Sequence, residues 1–470
     1  MLTLGHLAGY PSDVAVADVV IDSRQAHAGS VFYAFAGERV DGHAFVSAAF
    51  GRGALAAFVE HEVTGVRTVL PEQVPALVPS DLPVAVLVPN TLVALQQAAA
   101  RYRDTLALDV VAVTGSVGKT TAKEAVAAVT SQGRVVLKSA GNANNEIGLP
   151  LTLLSAKPQH QLAVLEMGMY ALGEITLLCS IARPRIGVVT NVQPVHLERL
   201  GSIERIAKAK GELIAALPVQ GIAVLNGDDP RVAAMAELNA GASVLVGRGA
   251  GNQVRIASVQ TLGLAGIAVE LDVAGLERLG IPAGHLRLVS GMLGKHAAMP
   301  VALAATVGLL LGLNEEHITR GLRQLGAGPR LISLQGQRET TILDDTYNAS
   351  PAAMAGALEL LATLPGRHVA VLGDMLELGA AEEDGHQRVG ALCARCVDVL
   401  ITRGERARLI ARAAREAGMS PAAVIDVADN DGALAALTTV AQQGDVILIK
   451  GSRGMAMETI VNAWRRVEES

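Results

Sequence analysis

Apolar residues run along this chain in short unbroken stretches rather than in strict alternation. From Leu108 onward LDVVAVTG, RVVLKSA, QLAVLEMG, RIGVVTNV and GIAVLNGDD follow one another, separated by stretches of helical pattern. Runs that are apolar at nearly every position are expected of parallel strands covered on both faces. Their alternation with helices predicts a mostly parallel sheet with helices on both sides. Between Gln253 and Ser290 the pattern changes to strand-like pieces alone, which reads as an antiparallel extension. A Gly/Pro hinge, Leu325–Arg330 (LGAGPR), precedes a third series: TTILDD, RHVAVLGD, DVLITRG, AAVIDVAD and DVILIKG. That series predicts a second, doubly wound unit. Ahead of all this, AVADVVIDSR and GSVFYAFAG read as strands and DGHAFVSAAFGRGA as a turn entering a helix. Prolines at 71, 75, 79 and 83 close the first region, and Thr91–Asp104 (TLVALQQAAARYRD) is helical in pattern. The expected fold class is α/β with three domains, over 1–84, 85–326 and 327–470: a small N-terminal α/β domain, a central P-loop-type mostly parallel sheet and a C-terminal Rossmann-like domain.

Composition narrows the function classes. The 470 residues carry 39 Lys+Arg against 45 Asp+Glu, a formal net charge of −6. A general nucleic-acid binder needs a strong basic field, so no nucleic-acid partner is expected. Half the residues are hydrophobic, which excludes a disordered chain. With one Trp, five Tyr and five Phe, the core must be built mainly from Ala, Val, Leu and Ile. Cys393 and Cys396 form a lone CxxC without the second pair of ligands a zinc site wants, and read as two small helix residues. Sparse cysteine suits a reducing compartment, and a cytoplasmic location is expected. MLTLGHLAGYPSD lacks a basic region followed by an apolar run, so no signal peptide is expected. Ala297–Leu313 is 17 uncharged residues long, short of the ~20 needed to span a bilayer, and includes Pro300 and Gly308. It reads as a buried Ala-rich helix, with no membrane insertion.

The sharpest chemical signal is VVAVTGSVGKTT. A strand ends at Thr114, Gly115-Ser116-Val117-Gly118 form a tight loop, and Lys119-Thr120-Thr121 open a helix. Glycines let backbone N–H groups close on phosphate oxygens, and the helix N-terminus adds the positive end of its dipole. Lys119 can neutralise β/γ-phosphates and the Thr120 hydroxyl can ligate Mg²⁺. The spacing is GxxGKT, with Val113 where a longer P-loop pattern has its first glycine. Glu166 closes the strand QLAVLEMG, at the carboxyl edge where such sheets bind ligands. By itself it reads equally as a Mg²⁺ ligand or a solvated strand-end carboxylate. His196 follows another strand end, and a lone histidine there also suits a structural hydrogen bond. Lys208 and Lys210 lie on the predicted helix IERIAKAKGELIAAL, where lysines are ordinarily solvated. Asn142, Asn144 and Asn145 follow a strand; they suit a polar substrate or an ordinary turn.

In order along the chain, TGSVGKTT, GNANNEIGLP, EMG, TNVQPVHLERLGS, AKAKGEL and LNGDD resemble the Mur ligases, ATP-dependent amide-forming enzymes of peptidoglycan synthesis with three domains. The C-terminal LDDTYNASPAAM, LGDMLELG with its trailing His386, KGSRGMAME and the N-terminal DSR…GSVFYAFAGERVDGH extend the resemblance over essentially the whole chain. Within the family these strings resemble the branch that adds D-alanyl-D-alanine to UDP-N-acetylmuramoyl-tripeptide. The resemblance implies ATP as co-substrate and those two molecules as partners, with the protein a monomer. It implies that Thr120 and Glu166 share a Mg²⁺, that His196 holds a second, and that Lys210 is carbamylated and supports that second metal. It places Arg330, Asp345, Tyr347 and Asn348 against ATP from the third domain. Asn142, Asn144 and Asn145 would face the UDP-sugar, and Asp22, Ser23 and Arg24 would help bind the uridine nucleotide. One departure is visible: after Gly294-Lys295-His296, Pro300 stands where the family usually has an Asn, which removes an amide from the adenine contact. Two sister activities compete, a diamino-acid-adding Mur ligase and a folylpolyglutamate synthase. The first would carry a DNPR-like string, absent here, and the second lacks the DSR…DGH first domain. A non-catalytic nucleotide-binding scaffold is the reading from another class; Glu166 and His196 at strand ends, together with Lys210, weigh against it.

Overall fold

The computed structural model describes residues 1–37, 40–194, 200–325 and 331–466. Three sheets follow one another along the chain. The first has strands β1 (Asp18–Val20), β2 (Ser30–Tyr33), β3 (Ala56–Val59), β4 (Thr68–Val69) and β5 (Val84–Leu87), in the parallel order β1-β2-β3-β5-β4. Helices α1 (Leu4–Ala8) and α2 (Val46–Gly51) cover it. The boundary expected after residue 84 falls inside β5, whose residues pair with both β3 and β4. The first unit therefore continues at least to Leu87, because a cut at 84 would strip a strand from its sheet. Helix α3 (Thr91–Asp104) follows. Its Arg101 donates to the carbonyls of His6 and Leu7, and its Tyr102 hydroxyl to Ala156, so one helix ties the first unit to the second.

The middle sheet has nine strands: β6 (Asp109–Thr114), β7 (Val136–Lys138), β8 (Leu162–Glu166), β9 (Ile186–Val189), β10 (Ile222–Asn226), β11 (Ala242–Gly247), β12 (Val254–Thr261), β13 (Ile267–Val273) and β14 (Gly284–Ser290). The order is β14-β13-β12-β11-β10-β9-β6-β8-β7. Pairing is parallel from β7 through β12, and antiparallel from β12 to β14, as the loss of intervening helices predicts. β11 is the strand the pattern reading leaves out. Val110–Thr114 are all buried, which is what an unbroken apolar run requires. Helices α4 (Lys119–Thr130), α5 (Gly148–Leu154), α6 (Glu174–Ala182), α7 (Ile203–Ala215), α8 (Pro230–Ala233), α9 (Ala298–Leu310) and α10 (Glu315–Gln324) pack around this sheet. α9 is the Ala-rich segment; Val301–Gly308 are buried and Pro300 sits in its first turn, where no N–H donor is missed. Among the described residues no helix is long and apolar enough to cross a membrane. Because β6 lies between β8 and β9, the chain leaves β6 toward β7 on one side and crosses from β8 to β9 on the other. The crevice this opens at the carboxyl ends of β6, β8 and β9 is where open α/β sheets bind ligands.

The third sheet runs β15-β16-β20-β17-β18-β19, with β15 (Ile332–Gln335) antiparallel at its edge. The other strands are β16 (Thr341–Asp345), β17 (His368–Gly373), β18 (Val399–Arg403), β19 (Val424–Val427) and β20 (Val446–Lys450), all parallel. Helices α11 (Pro351–Leu361) and α12 (Glu382–Cys396) lie on one face. Cys393 and Cys396 are buried in α12, which agrees with the reading as small packing residues. The expected boundary at 326/327 lies outside the described residues.

Candidate active site

The loop after β6 is held open by its own backbone geometry and by a clamp from β9. Gly115 has φ +147° and a Cβ there would meet Thr190 Oγ1; Gly118, at φ +83°, is left-handed and turns the chain into α4. The Thr190 hydroxyl donates to the Val117 carbonyl at 2.7 Å. The Asn191 amide brackets the same peptide unit, accepting from Val117 N–H and donating to Val117 O, both at 2.9 Å. Ser116 completes the clamp by donating its N–H to Asn191 O and exchanging bonds with Gln193. Lys119 Nζ donates to the carbonyls of Gly115 and Ser116 at 2.9 and 3.2 Å, and Thr120 is buried in the first turn of α4. The predicted pattern of loop, lysine and helix is thus a rigid concavity at the switch point.

Lys119 also faces a second cavity, of about 430 Å³, which it lines with Gln96, Asn144, Asn145, Tyr170 and Lys210. Glu166 ends β8 beside it, buried, with Oε1 accepting from Asn144 Nδ2 at 2.9 Å. Glu166 Oε2 is buried and meets no hydrogen-bond partner among the described residues. An orphaned hard oxygen beside a phosphate loop suits Mg²⁺, which is commonly held by one or two carboxylates plus phosphates. Lys210 is buried on α7, while Lys208 is exposed. Burial first, and the charge on Lys119 second, push the Lys210 amine well below the ordinary lysine range. A neutral amine is the form that adds CO₂, so its surroundings fit a carbamate. The solvated-lysine reading fails for Lys210 because it shares the apolar stripe of Ile206, Leu213 and Ile214; that periodicity is the signal by which sequence could have found it. Asn144 is a ligand of Glu166 rather than only a turn residue. Asn145 accepts from the N–H groups opening α5, and Asn142 offers its carbonyl to Asn144 N–H.

From the third unit, Asp345 at the end of β16 pairs with Lys450 at the end of β20 at 2.6 Å, both buried. Lys450 also donates to Asn348 O, which anchors the segment 346–350 over the loop. Tyr347 lies 5.9 Å beneath the Arg453 guanidinium. Ser116–Lys119, Asn348–Ser350, Leu376–Leu378 and Ser452–Gly454 enclose a cavity of about 180 Å³. His386 shapes that wall: its Nε2 accepts from Met375 N–H, so Nδ1 carries the proton and donates to Glu382 O. A larger cavity, about 600 Å³, continues from Val117, Gly118 and Thr121 to Asp345, Asn348 and an apolar end that includes Met292, Leu293, Met299 and Pro300. His296 stands there, its imidazole pushed below the ordinary histidine range mainly by burial.

The structure therefore brings together Gly115–Thr121, Asn144, Asn145, Glu166, Lys210, Asp345, Tyr347 and Asn348. Asp22, Ser23 and Arg24 stand apart in the first unit. Arg24 pairs with Asp22 at 2.6 Å and holds its carboxyl down to about 2, while Ser23 is buried. His196 and Arg330 lie outside the described residues. Thr190, Asn191 and Lys450 open the strings TNVQPVHLERLGS and KGSRGMAME, but their partners are 73, 74 and 105 residues away, so their part in the site shows only in the fold.

Family models match most of the chain: the Mur ligase family, catalytic domain over residues 16–103, the Mur ligase middle domain over 113–308, and the Mur ligase, glutamate ligase domain over 330–453. A UDP-N-acetylmuramoyl-tripeptide--D-alanyl-D-alanine ligase from Bacillus subtilis (strain 168) is 36% identical over 448 residues, which cover 94% of this chain and 92% of that protein. The crystal structure of MurF from Acinetobacter baumannii superimposes with a TM-score of 0.82 at 28% identity, covering 98% of each chain. A MurF ligase from Thermotoga maritima in complex with ADP gives 0.80 at 27% identity, covering 96% of this chain and 98% of that one.

Proposed function

The chain belongs to the Mur ligase family and is an ATP-dependent ligase, and on that premise we propose that it joins D-alanyl-D-alanine to UDP-N-acetylmuramoyl-tripeptide. The observation that carries this reading is the position of Lys119. It lines both the cavity enclosed by the phosphate loop and the third unit, and the cavity that holds Asn144 and Lys210. A γ-phosphoryl group on one side and an acceptor carboxylate on the other would meet at its ammonium.

Amide formation from a carboxylate in water is uphill, so the acid is activated first. The terminal carboxylate of the tripeptide attacks the γ-phosphorus in line, ADP leaves, and an acyl phosphate forms. Two anions must approach, so the protein's work is positioning and neutralisation. The Gly118 N–H and Lys119 hold the phosphates, with Thr120 and Thr121 at the helix N-terminus, while the Ser116 and Val117 N–H groups stay in the clamp on Asn191. Asp345, Tyr347 and Asn348 close on the nucleotide from the third unit. Thr120 and Glu166 would hold Mg²⁺, which supplies charge neutralisation to the phosphates. Lys210, as a carbamate, and His196 would hold a second ion, and Arg330 would reach the phosphates. Asn142, Asn144 and Asn145 face the UDP-sugar, and Asp22, Ser23 and Arg24 serve its uridine end. The dipeptide ammonium loses a proton and its nitrogen attacks the acyl carbon. A C–N bond forms, the C–O bond to phosphate breaks, orthophosphate leaves, and the nitrogen sheds a second proton. An acyl phosphate is readily hydrolysed, so the third unit over the loop also excludes water.

Mass spectrometry of the product from ATP, the tripeptide nucleotide and D-alanyl-D-alanine tests the reading. The expected product is the pentapeptide nucleotide, with one ADP and one phosphate released. Ligation of a single diamino acid instead, or ATP hydrolysis indifferent to either substrate, would overturn it. Lys119→Ala should lower turnover by orders of magnitude, and near-normal ligation in that variant would remove Lys119 from the assignment.

A further inference from the structure

A cation held by Thr120 and Glu166 needs those two side chains at a fixed spacing, yet they ride on different elements: Thr120 opens α4 and Glu166 ends β8. One buried charge spans the gap. Lys123 follows Lys119 by four residues and Thr120 by three on α4, hence on the same face. Its side chain is fully buried. An ammonium has three N–H groups, and this one meets three acceptors: Ser139 O at 2.8 Å, Gly141 O at 3.3 Å and Glu124 Oε1 at 3.0 Å. Both carbonyls belong to the segment between β7 and α5 that carries Asn144. Ser139 is buried too, and its hydroxyl accepts the Glu166 N–H at 3.1 Å. Beyond Gly141 the Asn144 N–H closes on Asn142 O, and the Gly168 N–H donates to Asn144 O at 2.8 Å. Asn144 is thereby set where its amide donates to Glu166 Oε1. With Oε1 occupied, Oε2 is the oxygen left for a cation.

We infer that Lys123 is a positioning residue for the cation site: through Ser139 and Asn144 it fixes the Glu166 carboxylate relative to Thr120 and leaves Oε2 as the ligand atom, an inference that rests on the placing of Mg²⁺ at Thr120 and Glu166 under the ligase reading above. Stability alone does not explain a lysine here. Burying an ammonium is costly, and a buried ion pair is often no more stable than apolar side chains of similar volume. A methionine would fill the same channel, and Glu124 would keep Lys138 as its partner, so no buried carboxylate would be stranded. What methionine lacks is the N–H groups that tie two carbonyls of the Asn144 segment to the helix of the phosphate loop. Groups standing behind a metal ligand commonly alter metal affinity about 10- to 100-fold when removed, because they set the ligand's orientation. Lys119 and Lys123, one turn apart, thus divide the work: the first meets phosphate, the second braces the carboxylate.

Calorimetric titration of the full chain with a non-hydrolysable ATP analogue, once in excess Mg²⁺ and once in EDTA, tests this. The ratio of the two affinities is the gain the cation brings, and phosphate-loop contacts common to both cancel. Lys123→Met should lose about 10-fold or more of the wild-type gain, with its affinity in EDTA within about twofold of wild type. Ser139→Ala removes only the hydroxyl on the Glu166 N–H and should lose about threefold of the same gain; it decides the matter if Lys123→Met does not fold. Glu166→Gln should lose the gain, and Lys123→Met added to it should cost nothing more, because a positioning residue acts only through what it positions. A residue that merely holds the fold would lower both affinities alike and add its loss in the double variant. The wild-type gain in Lys123→Met or in Ser139→Ala, or a Lys123→Met loss undiminished in Glu166→Gln, would overturn the inference. A wild-type chain that gains nothing from Mg²⁺ would overturn the placing of the cation at Thr120 and Glu166, and this inference with it. Whether the chain makes the pentapeptide nucleotide is read separately, from its product.

Discussion

Asn191→Ala separates the phosphate loop from its clamp. The side chain makes two bonds to one peptide unit, accepting from Val117 N–H and donating to Val117 O, each 2.9 Å long. Alanine removes both. The Ser116 N–H bond to the residue 191 carbonyl and the Thr190 hydroxyl bond to Val117 O remain. Each neutral bond contributes about 1 kcal/mol net, and Val117 is only half-buried, so water can reach its freed N–H without a further desolvation cost. The loss is therefore about 2 kcal/mol, felt as disorder of the loop that ATP must then reorder. At about 1.4 kcal/mol per decade this weakens ATP binding roughly 30-fold. Thr190→Val removes one of the two bonds on Val117 O and should weaken binding only about fivefold. Calorimetric titration of each variant with a non-hydrolysable ATP analogue measures both numbers. A melting curve should move little, because the loop can open locally while the sheet stays folded. Binding by Asn191→Ala within threefold of wild type, or a larger loss in Thr190→Val, would refute the clamp.

Lys210 has a folded pKa below its unfolded value, so between the two the unfolded chain binds more protons and stability rises with pH. The cost of burying its charge is full at low pH and fades as pH approaches about 10.4. Lys210→Met in CO₂-free buffer should therefore abolish ligation yet raise the melting temperature, most at low pH and least near pH 10; a gain that grows with pH would contradict this. Lys450→Met leaves the Asp345 carboxylate buried without its partner, and urea unfolding should show a loss of roughly 3–5 kcal/mol. A change below 1 kcal/mol would mean that water reaches Asp345 freely. Burial pushes the Cys179 thiol up to about 12 and Cys393 higher still. All three cysteines, being buried, should stay unreactive to a thiol reagent at neutral pH until the chain unfolds.

The sequence by itself determined what depends on neighbours along the chain. Unbroken apolar runs mark β6, β8 and β9 as doubly covered strands, because a parallel strand has no wet face. Gly115, Gly118 and Lys119 declare a phosphate loop, because its geometry needs positive φ at particular steps and a helix starting at once. The same local logic identified α9 as a buried helix and α12 as the place of two inert cysteines. What tertiary structure alone decided is everything set by contact between distant segments. Which strand flanks β6 is not written in β6, yet that order puts Glu166 and Thr190 on either side of the loop. The interior strand β11 and the edge strand β15 pass unnoticed because partial exposure blurs their pattern. Asn191 and Lys450 look like ordinary strand-end residues until the fold brings each to a partner more than 70 residues away. Lys208 and Lys210 sit two apart in one basic-looking string, and only packing against the sheet leaves one in water and buries the other facing the site, its amine pushed well below the ordinary lysine range.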